Sequence, residues 1–185
     1  MKTNIYPAIK LTIVTLLFFS VVYPGVIWVI AQLAPNGGHG EVVNANGKKY
    51  YANIGQTFTD DKFFNSRPSA VAYNAAGSGG SNKGPSNAEY LGIVKARIDT
   101  FLVHNPGVEK ADIPVELVTA SGSGLDPDIS PKAALVQVKR VAAAREIPEE
   151  KVVQLVSAHI EKPLLGMFGP EKVNVLSLNM ALEKL

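Results

Sequence analysis

Two stretches rich in glycine and serine contain the residues that could bind a phosphate group. Residues 78–87 read SGGSNKGPSN, and residues 121–127 read SGSGLDP. A P-loop places a Lys directly after its last Gly, whereas here Lys83 precedes Gly84. A dinucleotide-binding fingerprint requires a third Gly at the position that Pro127 occupies. Neither stretch therefore has a nucleotide-binding spacing, and both are predicted to form rigid, turn-rich loops.

Hydrolytic chemistry would need a nucleophile beside a base. Ser81 lies in the run Gly-Gly-Ser-Asn-Lys, which ends in Lys where a nucleophile elbow requires Gly. The three histidines, His39, His104 and His159, show no spacing typical of a metal site or of a catalytic base. The chain has no cysteine, which excludes disulfides, thiol catalysis and cysteine-bound zinc. We therefore predict that no residue is catalytic and that none binds a metal.

Charged residues in or near the two stretches allow two interpretations each, one structural and one functional. Asp126 and Asp128 flank a Pro and could contact a cation, although an Asp before Pro commonly caps its own turn. Arg67 is the one basic residue between positions 63 and 82. It could pair with a buried carboxylate or contact a partner protein.

The location of these loops depends on an apolar segment, residues 11–33, which has no charged side chain. As a helix at about 1.5 Å per residue it would span about 34 Å, against a hydrocarbon thickness of about 30 Å. The apolar run of a signal peptide is usually only about 7–15 residues. A retained transmembrane helix is therefore predicted, although Val29 and Ala31 would also suit a signal-peptide cleavage site.

The charges around this segment predict its orientation. Lys2 and Lys10 precede it, and the next charged residue, Glu41, comes eight residues after it. Because positive charge favours the cytoplasmic side, residues 1–10 are predicted to be cytoplasmic and the chain after the helix to lie outside. The protein is thus predicted to cross the cell (inner) membrane once.

Pro24 lies near the middle of the predicted span and cannot donate a hydrogen bond to the carbonyl of Ser20. A carbonyl freed within lipid must find another partner. Ser20 and Pro24 are therefore predicted to contact a helix of another protein.

The remaining chain is predicted to be a polar spacer, residues 34–48, followed by one periplasmic domain, residues 49–185. After residue 35 the chain has 16 acidic residues and 16 of the 18 basic ones, so its formal net charge is zero. It therefore has no basic stripe that could bind nucleic acid.

Helices and short strands must position the loops. Residues 63–87 contain aromatic side chains that a linker would lack, so an ordered loop is predicted there. A helix is predicted after a cap at Ser86 or Asn87 and ends at 105–107, and the overall pattern predicts an α+β fold with helices packed on a small sheet. The other predicted elements are strands at 49–58, 114–119 and 173–178, the last turning helical over 179–185; helices from the cap Ser130 to about Glu146 and from Pro148 to 161; a helical turn at 60–64 capped by Thr59; and a turn at 166–170.

Short motifs follow one another along nearly the whole chain. They are residues 23–24, 54–56 with Phe58, 66–70 with Tyr73, 78–82, 84–87, 118–127, 129–131 with Gln137, 140–142, Pro163 with 165–166, and 173–176. In this order and spacing the chain resembles the C subunits of the bacterial Kdp potassium-transporting ATPase. It departs from them at Lys83, at Ile160 and in residues 36–41, which lack a Gly-Ser-Leu run.

The resemblance implies an accessory subunit, without catalysis of its own, of an ATP-driven high-affinity potassium uptake complex. The implied partners are a channel-like potassium-translocating subunit, the P-type ATPase subunit that hydrolyses ATP, and a small single-span subunit. One implied role is to assemble and stabilise the complex and to shape the outer potassium entrance. The alternative is a catalytic chaperone whose Gly/Ser loops contact ATP and raise the nucleotide affinity of the ATPase subunit.

The predicted topology favours the first role, because ATP is cytoplasmic and the loops are predicted to lie outside. The sequence requires no cofactor. A membrane-anchored hydrolase on the outer face is a third alternative, and it lacks a nucleophile–base pair. The loops could also serve only the turns of the domain itself. The residues predicted to bind partners are Ser20, Pro24, Arg67, Ser78, Gly79, Gly80, Ser81, Asn82, Gly84, Pro85, Ser86, Asn87, Ser121, Gly122, Ser123, Gly124, Asp126 and Pro127.

Overall fold

The computed structural model describes residues 4–45 and 47–185. They form two compact units, and the boundary between the units lies between Val42 and Val43. The cation Lys2, used above to predict orientation, lies outside the described residues, as does Asn46 of the predicted spacer. The α+β class is confirmed, with one apolar N-terminal helix, further helices and two small antiparallel sheets.

The first unit is the predicted membrane span. A continuous helix covers Ile5–Gln32, with a mean hydropathy of 2.3 and no buried residue in its most apolar window. It consists of α1 (Ile5–Leu17), a π-helical turn (Phe18–Val22) and α2 (Tyr23–Gln32). The helix begins six residues before the predicted start, and it includes Pro7. Proline is tolerated there because an N–H in the first turn of a helix has no partner within the helix. Its length and composition suit a single crossing of a membrane.

The π-helical turn comes directly before Pro24. The amide of Tyr23 donates to the carbonyl of Phe18, five residues back. Proline has no N–H and its ring clashes with the carbonyl four residues earlier, and a wider turn relieves that clash without breaking the helix. The hydroxyls of Thr12 and Thr15 donate to carbonyls of their own helix, at 2.9 Å and 2.8 Å.

A two-stranded sheet of β1 (Val42–Ala45) and β2 (Lys48–Tyr51) forms where the chain passes into the second unit. Gly47 in the turn has a φ of +74°, which Gly adopts without strain. β1 lies within the predicted polar spacer, residues 34–48, and the strand predicted at 49–58 begins at Lys48 and ends at Tyr51. Its partner β1 supplies only four residues, so the chain after Tyr51 has no strand to pair with.

The rest of this unit packs helices on a three-stranded sheet. The strand order is β3-β5-β4, and Ile129 and Ile160 both pair with Val173 of the central strand. The long helix α3 has no buried residue among its seventeen, all of them described. The elements are α3 (Ala88–His104), β3 (Asp128–Ile129), α4 (Pro131–Leu135), α5 (Val138–Arg145), α6 (Glu149–Ala158), β4 (Ile160–Glu161), β5 (Lys172–Asn174) and α7 (Val175–Leu182).

Side-chain caps begin three of these helices. Asn87 accepts from the amide of Tyr90, and Ser130 accepts from that of Ala133, as predicted. Asn174 accepts from the amide of Ser177 and so starts α7 within the predicted strand 173–178. That strand is therefore only three residues long, and the helical continuation begins earlier than predicted.

The core lies where α4, α5, α6 and α7 meet the sheet. Apolar side chains on the inner faces of these helices are completely buried together with Phe64, which comes from the long loop. Burial of apolar surface is the main driving force for this packing. The fully buried members are Phe64, Ala133, Ala134, Val141, Val152, Val156, Val173 and Leu178.

Three further predicted elements differ from the structure. Residues 114–119 form a 3-10 turn, Val115–Leu117, because a helical turn buries the adjacent Leu117 and Val118 together, whereas a strand would send them to opposite faces. The helix predicted from Pro148 to 161 ends at Ala158, since Ile160 pairs with the central strand. The helix predicted from Ser130 to Glu146 is interrupted before Val138.

The turn predicted at 60–64 forms without helix. Asp60, and not Thr59, caps it by accepting from the amide of Lys62 at 3.1 Å. That amide is also the main reason that the pKa of Asp60 lies below its ordinary value. Residues 63–87 contain no helix or strand, as predicted, and the turn predicted at 166–170 is closed by pairing of Leu164 with Phe168.

Candidate functional site: the joined glycine-rich loops

The two predicted Gly/Ser loops contact each other directly. The amide of Gly79 donates to the carbonyl of Ser123 at 2.8 Å, and the hydroxyl of Ser78 donates to the same carbonyl at 2.9 Å. We call this pair of segments, residues 78–87 and 121–127, the joined loops.

Glycine is required where the backbones of the joined loops meet. A Cβ added to Gly80 would lie 2.9 Å from the carbonyl oxygen of Gly122. A Cβ on Gly124 would lie 2.7 Å from the carbonyl oxygen of Gly79, and Gly124 also has a φ of +69°. Both distances are shorter than a carbon and an oxygen normally approach, so these glycines permit close backbone contact.

A third segment, residues 66–73, supports the joined loops from one side. The hydroxyl of Ser69 donates to the carbonyl of Gly124 at 2.7 Å and accepts from the amides of Val71 and Tyr73. The amide of Ser121 donates to the carbonyl of Pro68 at 3.0 Å. Ser69 thus links the conformation of its own segment to that of the second loop.

Arg67 pairs with the carboxylate of Asp126, the first of the two alternatives predicted for it; contact with a partner protein stays a prediction. The Nη1–Oδ2 distance is 2.8 Å, and both side chains are about three-quarters buried. The other carboxylate oxygen of Asp126 accepts from the amide of Asp128 at 3.1 Å, so Asp126 does cap its own turn. The hydroxyl of Tyr73 donates to the carbonyl of Arg67, and burial raises the pKa of this hydroxyl.

Backbone amides in the second loop are used within the protein. Those of Gly124 and Leu125 donate to the hydroxyl oxygens of Ser121 and Ser123, at 3.0 Å and 3.1 Å. A phosphate-binding loop works by pointing such amides at its ligand. The amides of Gly124 and Leu125 instead stabilise the loop itself.

The predicted partner-binding residues occupy several environments. Ser121 and Gly124 are buried and support the loop from within, and Gly79, Gly80, Ser81, Asn87 and the segment 125–127 are partly buried. Ser20 and Pro24 belong to the other unit, where both are exposed on the apolar helix. The exposed residues of the joined loops are Ser78, Asn82, Lys83, Gly84, Pro85, Ser86, Gly122 and Ser123.

Buried amide side chains attach the start of the long loop, residues 63–87, to the helices. Sequence reasoning missed these side chains. Asn179 of α7 accepts from the amide of Phe64 at 2.8 Å and donates to its carbonyl at 2.9 Å. Gln137, between α4 and α5, accepts from the amide of Asn65 at 2.8 Å and donates to its carbonyl at 3.3 Å. The available signal was a lone Asn or Gln on an otherwise apolar helix face, since a buried amide must find partners.

Arg140 is the centre of this attachment. Its guanidinium donates to the carbonyls of Asp61 and Phe63 at 2.6 Å and 3.0 Å and to the side chain of Asn65 at 2.8 Å. The side chain is almost completely buried, and burial lowers its pKa. Because two of these bonds run to main-chain carbonyls, Arg140 holds the backbone of residues 61–63, ahead of the supporting segment 66–73.

A second feature is a groove of about 530 Å³ between α3 and residues 58–65. At one end Nδ1 of His104 lies 2.9 Å from a carboxylate oxygen of Asp61. The Nδ1 atom of His159 lies 2.8 Å from the carbonyl oxygen of Leu155. Within residues 4–45 and 47–185 no three His, Asp or Glu side chains are grouped so that they could hold a metal ion. The groove is lined mainly by Phe58, Ile93, Ala96, Arg97, Phe101 and Leu117.

Known proteins match this chain over almost its whole length. Residues 5–184 match the family model described as KdpC: K+-transporting ATPase, c chain. The chain is 58% identical to the potassium-transporting ATPase KdpC subunit of Bacteroides fragilis (strain YCH46), over 100% of this chain and 98% of the relative. It is 56% identical to that of Flavobacterium johnsoniae (98% of each chain) and 47% identical to that of Caldanaerobacter subterraneus subsp. tengcongensis (98% of this chain and 95% of the relative).

Proposed function

We propose a function for this chain on the premise that it belongs to the KdpC family and is a subunit of the Kdp complex, a P-type K+-transporting ATPase. The proposed role is accessory and non-catalytic. The subunit assembles and stabilises the complex and shapes the outer potassium entrance. Its proposed partners are the channel-like translocating subunit, the ATP-hydrolysing subunit and the small single-span subunit.

The observation that carries this proposal is the construction of the joined loops. Backbone contacts between Gly79 and Ser123, and between Gly80 and Gly122, hold the two loops together. Association costs less conformational entropy when a surface is already ordered. A polar, preorganised surface with exposed Asn82, Ser86 and Gly122 suits docking to another subunit.

The same construction counts against the alternative role in nucleotide binding. An ATP-contacting loop would direct backbone amides and a free cation at the phosphates. The amides of Gly124 and Leu125 donate to serine oxygens, and Arg67 is paired with Asp126. The nearby Lys83 lies 3.0 Å from Glu89. These contacts favour protein docking over contact with ATP.

The proposed topology places the N-terminus in the cytoplasm and the second unit in the periplasm. It is supported by Lys10 near the start of the helix and by the absence of charge in the sequence between Lys10 and Glu41. In this orientation the joined loops lie on the side from which potassium enters. We propose the inner cell membrane as the location.

Two glycines with open space provide a matched test. A Cβ at Gly122 in the joined loops, or at Gly92 on α3, would meet nothing within 4 Å. Gly122→Arg should therefore leave the fold intact but obstruct a docked subunit, and Gly92→Arg is the control. The complex is purified through the translocating subunit, and the amount of bound C subunit is measured together with potassium-stimulated ATPase activity.

On the proposed function, Gly122→Arg lowers both the bound C subunit and the stimulated activity, while Gly92→Arg lowers neither. The KM for ATP of the complex that does form stays unchanged. A full complex with normal activity in Gly122→Arg would place the docking surface elsewhere. A raised KM for ATP with intact assembly would instead favour the nucleotide role.

A further inference from the structure

A turn between β4 and β5 exposes four large apolar side chains side by side. Leu164, Leu165, Met167 and Phe168 have between 62% and 78% of their surface exposed. The sequence from Pro163 to Pro170, PLLGMFGP, contains no charged or hydroxyl side chain. Soluble surfaces rarely expose such a contiguous apolar group unless it binds something.

The backbone of this turn is closed on itself. The amide of Leu164 donates to the carbonyl of Phe168 at 3.2 Å, and the amides of Met167 and Phe168 donate back to the carbonyl of Leu164 at 3.2 Å and 3.0 Å. The amide of Gly166 donates to the carbonyl of Pro163 at 2.9 Å. Backbone groups that enter lipid must be satisfied within the protein, and four amides of this turn meet that requirement.

The surroundings of the turn also suit a lipid surface. An exposed Lys162 precedes it, and its ammonium could bind the phosphate of an anionic lipid. At the other end Lys172 pairs with Asp128 at 2.7 Å and with Glu161 at 3.4 Å, which keeps two of the nearby carboxylates neutralised. A protein interface of this size would normally include polar side chains that form hydrogen bonds, and the turn has none from 163 to 170.

We propose that the turn at residues 163–169 inserts its four apolar side chains into the interfacial region of the lipid bilayer. A turn this small would bind lipid weakly by itself. The same chain carries the apolar helix Ile5–Gln32, so a bilayer is always close, and insertion becomes an intramolecular step with a high effective concentration. The inserted turn provides a second point of attachment to the membrane and limits how the second unit can rotate.

Because the chain has no cysteine, a single introduced cysteine can carry a fluorescent probe. Met167→Cys is labelled with an environment-sensitive dye in the full-length chain, reconstituted alone in nanodiscs of neutral and anionic phospholipids. Val103→Cys is the control, because Val103 is an equally exposed apolar residue (78%) on α3. Quenching by lipids with a spin label near the headgroup is measured for both, and quenching by aqueous iodide is measured in parallel.

On this proposal, spin-labelled lipid quenches the probe at position 167 at least several-fold more than the probe at 103, and iodide quenches it less. Adding Phe168→Asp, which puts a charge in the turn, removes the lipid quenching while the chain stays in the nanodisc. The difference persists when the complete complex replaces the isolated chain.

Two results would overturn the proposal. Equal lipid quenching at 167 and 103 in the isolated chain, with the probe at 167 shielded from iodide only in the complete complex, would show that the turn binds a protein subunit. Iodide access to 167 in both preparations would show that it stays in water.

Discussion

Ser78 and Ser123, 45 residues apart in the chain, are joined by a 2.9 Å hydrogen bond from the hydroxyl of Ser78 to the carbonyl of Ser123. The amide of Gly79 donates to the same carbonyl. This junction makes one surface from two loops that are separated in the sequence by the whole of α3. A substitution that pushes the two backbones apart at this junction should therefore disturb both loops.

Gly80→Ala should destabilise the second unit. The added Cβ would lie 2.9 Å from the carbonyl oxygen of Gly122, so the joined loops would have to separate. We expect a loss of about 1–3 kcal/mol in the free energy of unfolding, as is usual for overpacking. Gly84→Ala is the matched control, because a Cβ there meets nothing within 4 Å. Thermal unfolding of both variants tests this, and equal melting temperatures would contradict the close contact.

Ser81→Ala separates a docking role from a structural one. Ser81 is partly buried in the joined loops, and changes that remove no structural contact usually alter stability by less than about 0.5 kcal/mol. We therefore expect an unchanged melting temperature but lower potassium-stimulated ATPase activity of the complex. Reduced thermal stability of the variant, or unchanged activity with unchanged assembly, would indicate that this residue serves only the loop.

Arg140→Met should have a large effect on stability. It leaves the carbonyls of Asp61 and Phe63 and the side chain of Asn65 without their buried donor. Loss of a charged, buried hydrogen-bonding partner costs about 3 kcal/mol or more. Lys139→Met, at an exposed neighbouring position, should cost less than about 0.5 kcal/mol. Chemical denaturation of the two variants measures the difference, and similar midpoints would mean that Arg140 does not hold the loop.

Stability should fall at alkaline pH. Burial raises the pKa of Tyr73 above its ordinary value of 10.0, and the hydrogen bond to Asp128 raises the pKa of Lys172 above 10.5. The folded state therefore holds both protons more tightly than the unfolded chain, so the free energy of unfolding is constant with respect to them below about pH 10 and falls above it.

Tyr73→Phe should weaken this alkaline decline, although Lys172 leaves part of it. The variant also loses the hydroxyl's bond to Arg67, which costs about 1 kcal/mol at neutral pH. Tyr51→Phe removes an exposed hydroxyl and is the control. Unfolding measured from pH 7 to 11 tests the prediction, and parallel curves for all three proteins would exclude Tyr73 as the titrating group.

The proposed topology predicts the access of a reagent. Lys132 is exposed on α4, so a cysteine there should react with a membrane-impermeant maleimide in cells whose outer membrane is permeable to it. Serine at the same position is the unlabelled control in this cysteine-free chain. Labelling only after lysis would show that the orientation is the reverse of the proposed one. It would also remove one argument against contact with ATP.

The sequence by itself determined the features that depend on neighbouring residues. The uncharged run beginning at residue 11 can only be a long apolar helix, and Asn87 and Ser130 begin helices because their side chains cap amides a few residues away. The motif order was specific enough to indicate the family, which the comparisons confirm.

Only the tertiary structure decided which distant groups meet. Whether Arg67 pairs with Asp126, whether Asn179 holds Phe64, and whether the two loops join are decided by contacts over 59, 115 and 45 residues of chain. The same packing overrode local patterns, since Leu117 and Val118 fold as a helical turn to be buried together. Local propensities are worth less than about 1 kcal/mol per residue, whereas burial of one large apolar side chain is worth about 1.5–3 kcal/mol, so tertiary contacts win wherever the two disagree.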